Sequence, residues 1–88
     1  MKPSEWLDKV KIKENIESDY RLAKMIGIEQ SGLSNIRRRD SGMDNYTAIR
    51  IAEMLEIDRM IVIIDMEKQK AKNKKKIEYW EKKEAIFL

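Results

Sequence analysis

Eighty-eight residues with a net charge of +3 are enough for one small domain, and an apolar share of 42% gives it a core, which excludes wholesale disorder. With 40% charged residues, three glycines and one proline, the composition favours helices over a strand-and-turn fold. The chain has no cysteine and no histidine, so disulfides, thiolate metal sites and any Ser-His-Asp or Cys-His catalytic unit are excluded.

In chain order, Ser4 is placed to cap a first helix through about Glu14, with Leu7 and Val10 on one face and Trp6 beside them. Ser18 is a good cap for a second helix, and Asp19 puts a negative charge where the helix dipole favours it. Leu22, Ala23 and Ile26 form the inner stripe, and Gly27 stops the helix. A third helix is predicted from near Gln30, with Leu33 and Ile36 inward, ending at "RDSG". Asp44 caps a fourth, stapled by Met43 and Ala48, with Ala48, Ile49, Ala52 and Leu55 as its inner stripe. Asp58 caps a fifth, stapled by Ile57 and Val62 and carrying Ile61 and Ile64 inward. Asn73 breaks or restarts the chain before a last helical segment with Ile77 and Trp80.

The charge is uneven. Residues 66–88 hold eight lysines against four glutamates, a net of +4, which leaves −1 for residues 1–65. Any nucleic-acid binding by the first part therefore depends on where charge is placed. The lysine run Lys68–Lys76 reads first as a solvated helix face. No apolar run approaches the roughly 20 residues that span a bilayer. The N-terminus lacks the apolar core of a signal peptide, so a cytoplasmic location is the default expectation.

The stretch "LAKMIGIEQSGLSNIRRR", Leu22 to Arg39, holds two short helices around a glycine turn, the helix-turn-helix pattern. A small residue, Ala23, stands where the helices cross closely. Gly27 follows four residues later, and Leu33 and Ile36 anchor the second helix. The motif "SDYRLAKMIGIEQSGLSNIRR", continued through "MDNYTAIRIAEMLEID", resembles the phage repressor and Cro-like family of DNA-binding domains, and most closely the small regulators of prophages and filamentous phages. The resemblance covers roughly residues 4–65. It implies an all-α, five-helix fold with the third helix in the major groove. The expected organisation is a DNA-binding domain over residues 1–65 and a basic helical extension over 66–88.

Carried over position by position, the resemblance puts Gln30, Ser31, Ser34 and Asn35 against base edges. Gln30 and Asn35 are amides suited to bidentate pairing with adenine. Of the three arginines, which point about 100° apart, Arg38 lies one turn from Ser34 and is expected on DNA. Arg37 is the second choice, as a phosphate contact, and Arg39 is a solvated charge. Ser18, at the start of the second helix, and Asn45 and Tyr46, opening the fourth, are expected at the DNA backbone. Asp19 departs from the family pattern, and its carboxylate is expected to turn away or pair with Arg21. Gly32 is unusual inside such a helix.

The function implied is a sequence-specific, double-stranded DNA-binding transcriptional regulator, a repressor that occludes polymerase at a palindromic operator as a homodimer. The tail has Ile77, Trp80, Ile86, Phe87 and Leu88 to spare; Ile77, Trp80 and Phe87 are the expected dimer contacts, with Trp80 as anchor. Two rivals stay open: the antitoxin of a toxin–antitoxin pair, and a helical protein-interaction module without DNA binding. No enzyme, metal, cofactor, membrane or small-molecule ligand is expected.

Overall fold

Side-chain caps mark where most of the helices begin. Ser18 Oγ accepts the Arg21 N–H at 3.2 Å, an Asp44 carboxylate oxygen accepts that of Thr47 at 3.3 Å, Asp58 that of Met60 at 2.8 Å, and Asn73 that of Lys76 at 2.9 Å. The computed structural model describes residues 1–40 and 42–87. In it the chain is all helical: α1 (Pro3–Glu14), α2 (Asp19–Ile26), α3 (Gln30–Arg39), α4 (Asn45–Leu55), α5 (Arg59–Lys70) and α6 (Lys74–Phe87), with no strand among the described residues. Ser41, within the expected "RDSG" stop, and Leu88, in the apolar tail, lie outside the described residues.

One core holds α1 to α5 together. Leu7 and Val10 of α1 meet Leu22, Ala23 and Ile26 of α2, Leu33 of α3, Ala48, Ile51 and Ala52 of α4, and Val62 and Met66 of α5. Each fully buried Leu, Ile or Val contributes roughly 1.5–3 kcal/mol. α1 packs on α3 and α4, α2 on α3 and α4, and α4 on α5, while α6 packs principally on α5. The Trp6 indole N–H donates to the buried Asp65 carboxylate at 2.6 Å and ties α1 to α5.

Three sequence expectations shift. α1 starts at Pro3, whose missing N–H costs nothing in a first turn. Ser4 is therefore inside the helix, and its N–H donates to Asp40 at 2.9 Å. The buried stripe of α4 is Thr47, Ala48, Ile51 and Ala52, turned from the expected one, while Ile49 and Leu55 are half-buried. The boundary at 65/66 falls inside α5, where Asp65 and Met66 are both buried. α6 begins at Lys74 after the Asn73 cap and folds back along α5, with Lys68 on Glu84 at 3.0 Å.

Candidate nucleic-acid interface

The turn between α2 and α3 is three residues, Gly27 to Glu29. Gly27 has φ +91°, a conformation that costs glycine little, and its N–H and that of Ile28 both return to the Ala23 carbonyl, at 2.9 and 3.0 Å. A Cβ on residue 27 would stand 2.6 Å from the Tyr46 hydroxyl oxygen, so the Tyr46 side chain would have to shift to admit it. Two α4 side chains finish the end of α2. Tyr46 donates its hydroxyl to the Ile26 carbonyl at 3.2 Å, and Arg50 donates to Ile26 and Met25 carbonyls at 3.1 and 2.9 Å. The angle between α2 and α3 is thus held by backbone, glycine and two side chains from a third helix.

α3 then divides into two faces. Leu33 is fully buried and Ile36 packs against the core. Arg37, one turn after Leu33, falls on the same side. Its guanidinium donates to Asp19 at 3.0 and 3.1 Å and to the Ser4 carbonyl at 3.0 Å, and pairs with Asp8 at 2.7 Å. Lys11 adds a second cation on Asp19 at 3.1 Å. The hydrogen bond from Arg37 holds the Asp19 carboxyl below the usual carboxylate range, against the opposing effect of burial. Burial works against the Arg37 charge, and the hydrogen bonds and charges of Asp19 and Asp8 outweigh it and raise its pKa.

On the opposite side Gln30, Ser31, Ser34, Asn35 and Arg38 are all exposed. Their spacing, i, i+1, i+4, i+5 and i+8, makes one continuous stripe along the helix. Arg38 lies along it, donating from Nη2 to the Asn35 side-chain oxygen. The three arginines at the end of α3 also suit its negative dipole end.

The expected site residues therefore separate. The five on α3 come together on one exposed face. Ser18 and Asn45 are exposed at the starts of α2 and α4. Arg37, expected at a phosphate, is half-buried and held by Asp19, Asp8 and the Ser4 carbonyl, because its helical position puts it on the inner side. Asp19 pairs with Arg37 and Lys11 rather than Arg21, which turns its carboxylate away from the outer surface. Tyr46, also expected at the backbone, is exposed, and its hydroxyl donates to the Ile26 carbonyl at the end of α2. Ile77, Trp80 and Phe87 are half-buried on α6, which has no fully buried residue; Trp80 meets Tyr79 edge-on, ring centroids 5.0 Å apart. Phe87 faces a small cavity, about 160 Å³, with Trp6, Ile61 and Ile64, so part of its apolar surface is used within the chain.

Sequence reasoning missed Arg50. Its signal was weak: an arginine beside the apolar stripe of α4 announces no partner until α2 is placed. Asp8 was missed for the same reason. No helix of the described residues is long and apolar enough to cross a membrane. No protein-family model matches the chain, and neither a curated protein nor a solved structure matches it.

Proposed function

We propose that this chain is a sequence-specific, double-stranded DNA-binding regulator of the phage repressor and Cro-like helix-turn-helix type, with α2 and α3 as the motif and α3 entering the major groove. The observation that carries this reading is the division of α3. One face is locked to the core and to Asp19 and Asp8, and the other offers two amides, two hydroxyls and an arginine in an unbroken exposed stripe. A helix held rigidly on one side with a mixed polar face on the other suits direct readout of base edges. Gln30 and Asn35 take adenine, Arg38 a guanine or a phosphate, and Ser31 and Ser34 supplement them. Ser18 and Asn45 take the flanking phosphates. The inward turn of Asp19 removes the carboxylate that would have repelled a phosphate at the start of α2.

One such helix reads only a few base pairs, so two copies bind, with half-sites about 34 Å apart or a multiple of it. Ile77 and Trp80 lie on a helix that packs principally on α5, and they form the pairing surface with what remains exposed of Phe87. Occupation of a palindromic operator then blocks polymerase by occlusion.

Selection of bound sequences from a random duplex library tests the reading. We expect a two-fold symmetric consensus bound at least ~10³-fold more tightly than random duplex at physiological salt. A footprint with no preferred sequence under those conditions sinks it. Light scattering of a chain cut after Ala71, beyond the end of α5, tests the pairing surface. A monomer with reduced operator affinity is expected, and a truncated chain still dimeric removes α6 from the interface.

A further inference from the structure

The turn between α5 and α6 holds a concentration of charge that the core does not use. Lys70, Lys72, Lys74, Lys75 and Lys76 lie within seven residues that contain no acid. Lys72 to Lys76 are all exposed, as is Lys70. Lys68, just before them, is the one drawn inward, by Glu84. Among the described residues, none of the five forms an ion pair.

Read from sequence this run is a solvated helix face. Its place in the fold is different. Lys70 reaches across to the loop between α3 and α4, where its Cε would stand 3.2 Å from a Cβ placed on Gly42. It lines one groove together with Gly32, Asn35 and Arg39 of α3 and the Asp44 cap of α4. Lys70, which leads into the lysine turn, thus stands beside the end of the exposed stripe, in one groove with Asn35 and Arg39. Two acids, Glu29 and Asp44, also line that groove, and Asp44 is engaged on the Thr47 N–H. The sign of the charge is wrong for the local structure. Lys74, Lys75 and Lys76 fill the first turn of α6, where no acid stands, whereas α1 and α2 carry Glu5 and Asp19 at that place. The fold keeps five cations crowded together, three of them against a helix dipole, and the first of them, Lys70, borders the candidate interface.

We propose that the α5–α6 lysine turn is a second, sequence-independent DNA contact, which grips duplex phosphates flanking the site that α3 reads. This rests on the reading of α3 given above. Lysine is a point charge on a long flexible stem, suited to phosphate and indifferent to base identity. The contact would lengthen the footprint outward from each half-site and hold the chain on DNA while α3 searches.

The test is salt-dependent binding of the full-length chain and of K70Q/K72Q/K74Q/K75Q/K76Q to the selected operator. Each is measured on a duplex trimmed to the consensus and on one extended by about ten base pairs on either side, near one helical turn. Counterion release predicts a slope of log affinity against log salt lower by about 0.9 for each phosphate contact removed, so a drop of roughly 2–4 is expected for the variant on the long duplex. Affinity there should fall about 10–100-fold at low salt, the order of preference among operators should not change, and the trimmed duplex should show little of the difference. Circular dichroism should show full helicity in the variant, since the lysines removed oppose the dipole of α6. A control, K9Q/K82Q, removes lysines from elsewhere on the surface. The same slope in variant and wild type overturns the flanking contact alone, as does an equal loss per lysine in the control. A wild-type chain indifferent to all duplexes overturns the contact and the reading of α3 together.

Discussion

Arg37 and Arg38 are adjacent in the chain and point into different worlds. The inner face of α3, Leu33, Ile36 and Arg37, belongs to the fold: it is buried or half-buried, and its one charge is held by two carboxylates and a carbonyl. The outer face, Gln30, Ser31, Ser34, Asn35 and Arg38, belongs to nothing else in the chain apart from the contact between Arg38 and Asn35. A helix with 3.6 residues per turn makes this separation unavoidable, since neighbours differ by about 100°. The lesson is that a run of like charges is not one functional unit. Substitutions on the two faces should act on different quantities, stability for the inner and DNA affinity for the outer.

The largest effect should come from the centre of the inner face. Leu33 is fully buried in the one core that joins α1 to α5. Leu33→Ala should cost about 2–5 kcal/mol of stability, through lost burial and the cavity left behind. A domain of this size has little to spare, so thermal denaturation should show a partly unfolded chain at 37 °C. Retention of wild-type stability would mean that the division between the faces is misdrawn at its best-supported point.

Asn35→Ala is the counterpart on the outer face. Asn35 is exposed, so its loss should leave the melting temperature within a degree or two. It should cost ~1–3 kcal/mol in affinity at one base pair of the operator and relax the preference there. Because Asn35 also holds Arg38, the double change Asn35→Ala with Arg38→Ala should lose less than the two single losses together. Titration against a panel of operator variants decides the matter, and an equal loss on every variant would make Asn35 a positioner rather than a reader.

The contrast between the faces also shows how far a sequence speaks. The helices were legible because their caps are local chemistry: Ser18, Asp44, Asp58 and Asn73 each hold a backbone N–H two or three residues on. The exposed stripe was legible because spacing alone sets it. Arg37 was within reach as well, since it stands four residues after Leu33. What hid it was the identity of its partners. Asp8 and Ser4 lie on α1 and Asp19 on α2, and no local rule brings two separate helices to one guanidinium on a third. The same holds for Tyr46 and Arg50 on the end of α2.

Arg37→Met keeps the stem of the side chain and removes the charge. It should cost about 1–2 kcal/mol, the scale of a charged hydrogen-bond network discounted for partial exposure. Its pH dependence identifies it. The folded Asp19 carboxyl sits below its unfolded value of about 3.9, so the stability it contributes is complete above that pH and is lost as pH falls through the folded value. Asp40, lowered by the Ser4 N–H, acts in the same direction. Acid denaturation of the wild type should therefore steepen below about pH 4, and the Met variant should show a shallower fall there. An unchanged acid limb would say that Arg37 does not hold Asp19 in solution. Operator preference should not change in either case.

The smallest effect sits on the border between the faces, at Gly32. A glycine inside a helix costs about 0.8–1.0 kcal/mol relative to alanine. At Gly27 the positive φ demands it, but at Gly32 a Cβ would meet nothing within 4 Å. The fold therefore has no use for the missing side chain. Gly32 does line the groove shared with Asn35 and Arg39, on the side where a duplex backbone would pass if α3 lies in the major groove. A local rule broken with no gain in packing points toward function. Gly32→Ala should raise the melting temperature by about 4–8 °C for each kcal/mol gained in a domain of this size. It should lower operator affinity about tenfold, or ~1.4 kcal/mol, by holding the duplex away from α3. Calorimetry and an operator titration on the same variant separate the two quantities. A more stable protein that binds its operator as tightly as before would make Gly32 a defect that the helix merely tolerates, and would move the DNA off this edge of α3.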